Sequence, residues 1–156
     1  MWRHPFINGD DCSWNGGHAL SGRMSVGTSG TGTPFWDATR EKRLVLQWCK
    51  ACDRAIFYPR DFCPNCLGEE LVWEDAKGTG VVYALSVMHK PGNPLMAQRV
   101  PYIVAIIELA EGVRMLSTVV GDGRITAKVG DKVRVSWEDL NDGRYLPVFE
   151  LIARTS

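Results

Sequence analysis

Runs of alternating hydrophobic and polar residues occupy the second half of the chain. Five such runs span 80–89, 102–109, 113–120, 132–138 and 145–151, and the first three are rich in β-branched residues. The clearest alternation places Val133, Val135 and Trp137 on one face of a strand and charged residues on the other. Turns that contain glycine separate the runs, which is typical of antiparallel strands. The pattern therefore predicts five β-strands in this half of the chain.

Five short strands are enough to close a small barrel, and the five-stranded OB fold is the natural candidate. The longest connection within the predicted barrel runs from 90 to 101 and is shaped by proline and glycine. Its apolar residues Leu95 and Met96 have no evident position in a core. They are candidates for contact with an acyl chain or with a partner protein.

The first half of the chain has a different pattern. Residues 1–32 combine many glycines with Ser, Thr and Asn and show no hydrophobic periodicity, so we expect a disordered tail. Thr33 as N-cap, Pro34 in the first turn and Asp37 near the positive helix end predict a short helix. Alternating apolar residues over 44–48 then predict a strand.

Two closely spaced pairs of cysteines follow this strand. The pairs have Cys-x-x-Cys spacing and are separated by ten residues, at Cys49, Cys52, Cys63 and Cys66. Two facing turns of this kind supply four sulfurs at tetrahedral corners, the closed structural site that zinc prefers. Iron in a rubredoxin-type site uses the same ligands, and buried thiols without metal are a further alternative. A thioredoxin-like redox pair is disfavoured because no strand–helix–strand pattern surrounds either pair. We predict one structural zinc ion, with iron left open.

Overall charge restricts the classes of function. The chain of 156 residues has 18 basic and 18 acidic side chains and a formal net charge of zero, whereas nucleic-acid-binding proteins usually have a basic footprint. No apolar run approaches the roughly 20 residues that span a bilayer, and the N-terminus lacks the apolar core of a secretory signal. We therefore expect a cytoplasmic protein, in which paired cysteines bind metal more readily than they form disulfides.

The order of motifs resembles a known two-part family. The segments that carry the resemblance are PFWDATREKRLVLQWCKACDRAIFYPRDFCPNC, GTGVVYALSVMHK, PYIVAIIELAEGVRMLSTVV and GDKVRVSWEDLNDGRYLPVFEL. Members of this family join an N-terminal helix, a rubredoxin-like zinc ribbon and a C-terminal OB fold. The resemblance covers 34–152 and implies a helix and ribbon over 33–75 and a barrel over 76–154. The chain departs from the family at Asp53 and Leu67, where glycine is frequent after the second cysteine of a pair.

The resemblance also implies a function in acyl-CoA metabolism. Members accompany thiolase-like enzymes, hydroxymethylglutaryl-CoA synthase and acyl-CoA hydratases, where they bridge enzymes or help hold a CoA thioester. Some are fused behind a hydratase domain in steroid side-chain degradation and pair with a thiolase-fold aldolase. The chain is thus expected to be an accessory subunit that binds a thiolase-fold or hydratase/aldolase partner.

Two groups of residues are candidates for this binding. No acidic residue occurs between Asp75 and Glu108, and that window contains the cationic candidates for CoA phosphates, Lys77, His89, Lys90 and Arg99. The alternative is that these are ordinary solvated side chains. Phe35 and Trp36 either pack on the protein's own core or, together with Leu95 and Met96, contact a partner.

Two other functions remain open at this stage. A single-stranded nucleic-acid-binding module would use stacked aromatic rings, such as Tyr83 and Trp137, in a basic groove. An independent acyl-CoA enzyme would need a nucleophile with a nearby base or paired carboxylates. The sequence has no such motif, so we predict no catalytic residue and favour the accessory subunit.

Overall fold

A computed structural model of the chain describes residues 30–92 and 94–152. Most of the expected disordered tail, 1–29, therefore lies outside the described residues, while Gly30–Gly32 forms a 3-10 turn. Helix α1 (Thr33–Arg40) follows it directly. The predicted Thr33 N-cap is wrong, because the 3-10 turn already places Gly32 in helical backbone (φ −88°, ψ −4°) and makes Thr33 the first helical residue. None of the helices in the described ranges has the length and apolar character needed to cross a membrane.

Three short strands form the first sheet. They are β1 (Val45–Cys49), β2 (Arg54–Ile56) and β3 (Leu71–Asp75). β1 lies in the middle and pairs antiparallel with both neighbours. Gln47, in the centre of β1, is buried and uses its amide twice: it donates to the Arg60 carbonyl at 2.9 Å and accepts from the Arg60 N–H at 2.7 Å. This amide fixes the loop between β2 and β3 against the sheet.

Six strands form the second sheet. They are β4 (Thr79–Met88), β5 (Tyr102–Leu109), β6 (Arg114–Ser117), β7 (Val119–Val120), β8 (Lys132–Asp139) and β9 (Tyr145–Leu151). Their spatial order is β6-β5-β4-β8-β9-β7. β6 pairs antiparallel with β5, whereas β7, one residue further along, pairs parallel with β9. One chain segment thus joins both ends of the sheet and closes it into a barrel.

This pairing is that of an OB fold, and the predicted fold class is confirmed. The predicted strand over 113–120 is two strands in the structure, because the chain changes its pairing partner at Thr118. The Thr118 hydroxyl donates to the Ile103 carbonyl on β5, and its own carbonyl accepts from the Phe149 N–H on β9 at 2.9 Å.

The barrel and the base of the first sheet share one core. Inward residues of β5, such as Ile103 and Ile107, pack with Val133 and Phe149 inside the barrel. The same cluster includes Phe35 and Ala38 of α1 together with the three residues Leu44, Val45 and Leu46. A separate small cluster contains Cys49, Ile56 and Cys63 at the far end of the first sheet. The cysteines are therefore packed apart from the main core.

Candidate metal centre and binding surfaces

Four thiol sulfurs converge at the far end of the first sheet. The Sγ atoms of Cys49, Cys52, Cys63 and Cys66 all lie within 4.8 Å of one another. Two of the separations, Cys49–Cys66 and Cys52–Cys63, are 3.6 Å. Zinc held tetrahedrally by thiolates at about 2.3 Å requires sulfurs that are about 3.8 Å apart. The sulfur positions therefore fit a single tetrahedral zinc ion.

Backbone hydrogen bonds shape the second cysteine turn around Cys63. The Leu67 N–H donates to the Cys63 carbonyl, and the Cys63 N–H donates to the Gly68 carbonyl, both at 2.9 Å. The Asn65 N–H points at the Cys63 sulfur at 3.4 Å. Cys49 and Cys63 are buried and Cys66 is exposed, so the site lies just below the protein surface.

The thiols of Cys63 and Cys52 differ in acidity. Burial acts to raise the pKa of Cys63, but the backbone N–H groups of Cys66 and Asn65 outweigh it and lower that pKa to about 6. Burial raises the pKa of Cys52 to about 12. Zinc binds thiolates and displaces the remaining protons, so of these two ligands Cys63 is the better prepared for the metal and Cys52 gains more from the charge of the metal.

Asp53 and Leu67 occupy the positions at which glycine is frequent in the family, and both are left-handed, with φ of +52° and +60°. Asp53 is supported there because its carboxylate accepts a hydrogen bond from Trp48 Nε1 at 2.8 Å. Leu67 has no comparable support, since its side chain is 71% exposed. A left-handed leucine is strained by contact between its Cβ and the backbone.

Relief of this strain is a testable consequence. Leu67→Gly is expected to slow zinc loss to a chelator about two- to fivefold, because removing the Cβ from a left-handed residue is worth up to roughly 1 kcal/mol. Leu67→Ala keeps the Cβ and is the matched control, for which no gain is expected. Equal rates of zinc release from the two variants would show that the turn is not strained.

The predicted aromatic contacts are divided between core and surface. Phe35 is 6% exposed and belongs to the main core. Trp36 is half-buried, with its ring edge-on to Phe35 at 5.2 Å and the Arg144 guanidinium 5.2 Å from its ring centroid. Of the two rings, only Trp36 has surface left for a partner. Met96 is half-buried in the 3-10 turn Pro94–Arg99, and the side chain of Leu95 lies outside the described structure.

The four cationic candidates do not form one cluster. Lys77 precedes β4, and His89 and Lys90 follow it, so roughly 30 Å of strand separates the two groups. Arg99 is paired with the Glu138 carboxylate of β8. The segment between Asp75 and Glu108 has no acidic residue of its own, but acidic side chains from other parts of the chain contact it in the fold. Glu111 is a second example, because its carboxylate accepts a hydrogen bond from the Lys77 N–H at 2.8 Å. His89 and Lys90 remain together, exposed at one end of the barrel.

One surface was not foreseen from the sequence. On the outside of the barrel, Leu116 of β6 is 59% exposed and lies opposite Ile106 of β5. The sequence of β5 contained a signal for this surface, because β5 is apolar at nearly every position rather than at every second position. Such a strand is typical of one that is covered on both faces.

The fold and the site define a class of protein: a zinc ribbon whose four cysteines bind one structural zinc ion, joined to an OB-fold barrel. Residues 36–72 match the family model of the ChsH2 rubredoxin-like zinc ribbon domain, and residues 73–138 match that of the ChsH2 C-terminal OB-fold domain. The chain belongs to this ChsH2 (DUF35) family.

Similar proteins occur both as separate chains and as parts of longer ones. A DUF35 domain-containing scaffold protein of Methanocaldococcus jannaschii is 32% identical, with 67% of this chain and 86% of that protein covered. A probable enoyl-CoA hydratase alpha subunit of Thermomonospora curvata is 37% identical over 74% of this chain. The chain spans only 36% of the length of that subunit.

A solved structure has the same fold. The Ltp2-ChsH2(DUF35) aldolase structure matches with a TM-score of 0.73 and 31% identity, covering 81% of this chain and 98% of the matched chain.

Proposed function

We propose that this chain is a non-catalytic accessory subunit that binds a thiolase-fold or acyl-CoA hydratase/aldolase enzyme and helps hold the acyl-CoA thioester. One observation supports this most directly. The described ribbon and barrel correspond to 98% of a chain in the Ltp2-ChsH2(DUF35) aldolase structure, and to about a third of a hydratase alpha subunit. The same ribbon and barrel thus occur as a chain of an aldolase structure and as part of a longer hydratase subunit, and such a module is suited to binding an enzyme.

The metal centre supports a structural contribution from the zinc. Four cysteine sulfurs fill a tetrahedral coordination shell, whereas catalytic zinc keeps one position for water or substrate. The energy of zinc binding then stabilises the ribbon. The reducing conditions of the cytoplasm, where we place the assembly, keep the thiolates available.

Among the candidate CoA contacts, His89 and Lys90 are the best placed. Both are exposed at the end of β4, beside the loop that contains Met96. Lys90 forms no ion pair with an acidic side chain among the described residues, so its charge is available for a phosphate. The resemblance to subunits of steroid side-chain degradation extends the proposal to lipid or steroid acyl-CoA substrates.

Reconstitution tests the proposed function. The zinc-loaded chain alone is expected to show no turnover of acyl-CoA, and on mixing with purified Ltp2 subunit to form a complex that does. Association is measured by calorimetry, and turnover by release of the product from the CoA thioester. Turnover by the isolated chain at the rate of the complex would contradict the proposal. So would the absence of binding to Ltp2 at tens of micromolar.

A further inference from the structure

The outer side of the barrel has an unusual composition where β4, β5 and β6 lie side by side. Alternation along β5 directs Ile103, Ala105, Ile107 and Leu109 into the core, where each is at most 2% exposed. Its outward positions include Val104 and Ile106. The register places Ile106 between Ala84 of β4 and Leu116 of β6. The polar Ser86 of β4 lies opposite Val104 on the same side. We call the apolar residues Ala84, Val104, Ile106 and Leu116 the apolar face.

The apolar face has no net charge of its own. The charged side chains next to it are Glu108 and Arg114, which pair with each other at 2.8 Å. Elsewhere on the barrel, the outward side chains of β8 follow the usual rule for a solvated strand: Lys132, Arg134 and Glu138 are charged. The outside of the barrel is therefore apolar around Ile106 and Leu116, with one neutralised charge pair at its edge, and charged over β8.

This chemistry does not suit nucleic acid, although many OB folds bind oligonucleotides on the corresponding strands. Such binding requires open aromatic rings and unpaired cations. Tyr83 is the nearest exposed ring, but the Arg114 guanidinium lies over it, 3.5 Å from the ring centroid. The charge of Arg114 is in turn neutralised by Glu108. Neither the ring nor the cation is available to a nucleotide.

The size of the face argues against a second copy of the chain. The strands lie about 4.8 Å apart and β6 has only four residues, so the face presents at most roughly 300 Å² and two copies would bury at most roughly 600 Å². Stable interfaces bury about 1,200–2,000 Å² in total, or about 800 Å² on each partner. The apolar face can supply the centre of such an interface but not all of it.

The zinc ribbon continues this surface. Phe57 and Pro64 of the ribbon, together with Val113 and Arg114 of the barrel, line a groove of about 370 Å³. Arg114 therefore borders both the groove and the apolar face. A partner protein whose contact surface is larger than the apolar face can cover the apolar face and the groove at the same time.

We infer that the apolar face is the centre of the docking site for the partner enzyme, and that the partner presents an apolar, uncharged surface to it. This rests on the proposed function as an accessory subunit. The partner covers Ile106 and Leu116 and extends over the groove toward the zinc ribbon. Burial of the apolar face explains why β5 is apolar on both sides.

Leu116→Asp tests the inference with purified Ltp2 subunit as the probe. The substitution places a charge at the centre of the apolar face, and the dissociation constant measured by calorimetry is expected to rise at least about tenfold. Leu116 is exposed, so zinc content and thermal unfolding are expected to stay unchanged. Val129→Asp is the matched control, because Val129 is 66% exposed and lies outside the apolar face. Its binding is expected to equal that of the wild type.

The possible outcomes separate the two proposals. If the wild type binds Ltp2 and Leu116→Asp binds equally well, the docking site is elsewhere and the accessory function stands. If the wild type does not bind, the proposed function fails and the docking site with it. The inference would also be overturned if the isolated chain formed a dimer that Leu116→Asp abolishes. The same holds if the chain bound oligo-dT and Leu116→Asp abolished that binding, because in either case the apolar face would have a different occupant.

Discussion

Replacing Cys63 with serine is expected to abolish stoichiometric zinc binding and to unfold the far end of the ribbon. Cys63 is fully buried, and its sulfur is one of four that fill the tetrahedral shell. Zinc binding contributes about 10–16 kcal/mol to the folding of isolated zinc-finger peptides, so loss of one thiolate removes the main stabilising term of this small cluster. Metal analysis of the purified variant should give far less than one zinc per chain.

Hydrogen exchange should locate the damage. The far cluster of Cys49, Ile56 and Cys63 is separate from the main core, whereas Leu44 to Leu46 pack with the barrel. Amides of 50–70 are therefore expected to lose protection in Cys63→Ser, and those of β4, β5, β8 and β9 to keep it. Cys12→Ser removes a cysteine outside the predicted ligand set and should retain zinc. A Cys63→Ser protein with one tightly held zinc, or with a barrel that unfolds together with the ribbon, would contradict this description.

The metal ligands could be predicted from sequence because their geometry is local. Each Cys-x-x-Cys turn fixes the relative positions of two sulfurs within four residues. Only the distance between the two pairs depends on the tertiary structure. The left-handed backbone at Asp53 and Leu67 agrees with the glycine that is frequent at these positions in the family, because glycine adopts this conformation without strain. Alternation predicted the strands of the barrel for the same reason: it is a property of neighbouring residues.

Properties that depend on distant residues could not be predicted in this way. The division of one expected strand at Thr118 depends on bonds to Ile103 and Phe149, which lie far away in sequence. Arg99 lies in a window without acids, yet pairs with Glu138, 39 residues further on. A helix cap at Thr33 was a reasonable local expectation, but the preceding 3-10 turn changed the position at which the helix begins.

If the proposed CoA contact exists, Lys90→Glu is expected to raise the Michaelis constant of the reconstituted complex for acyl-CoA about ten- to hundredfold. A charge-assisted hydrogen bond to phosphate is worth roughly 1.5–3 kcal/mol, and the glutamate repels the phosphate that the lysine attracts. The increase should shrink in high salt, which screens exposed charges. Affinity for the partner subunit should not change, because Lys90 lies in the loop after β4 and outside the apolar face.

Lys77→Glu provides the matched control for this prediction. It makes the same change of charge on an exposed lysine in the same acid-free window, but at the opposite end of β4, roughly 30 Å away along the strand. At physiological salt a charge is screened within about 8 Å, so Lys77→Glu should leave the Michaelis constant unchanged. Arg99 is a poorer choice for the test, because its substitution would also release Glu138. An unchanged Michaelis constant for Lys90→Glu would exclude a phosphate contact at this residue and leave docking as the contribution of the barrel.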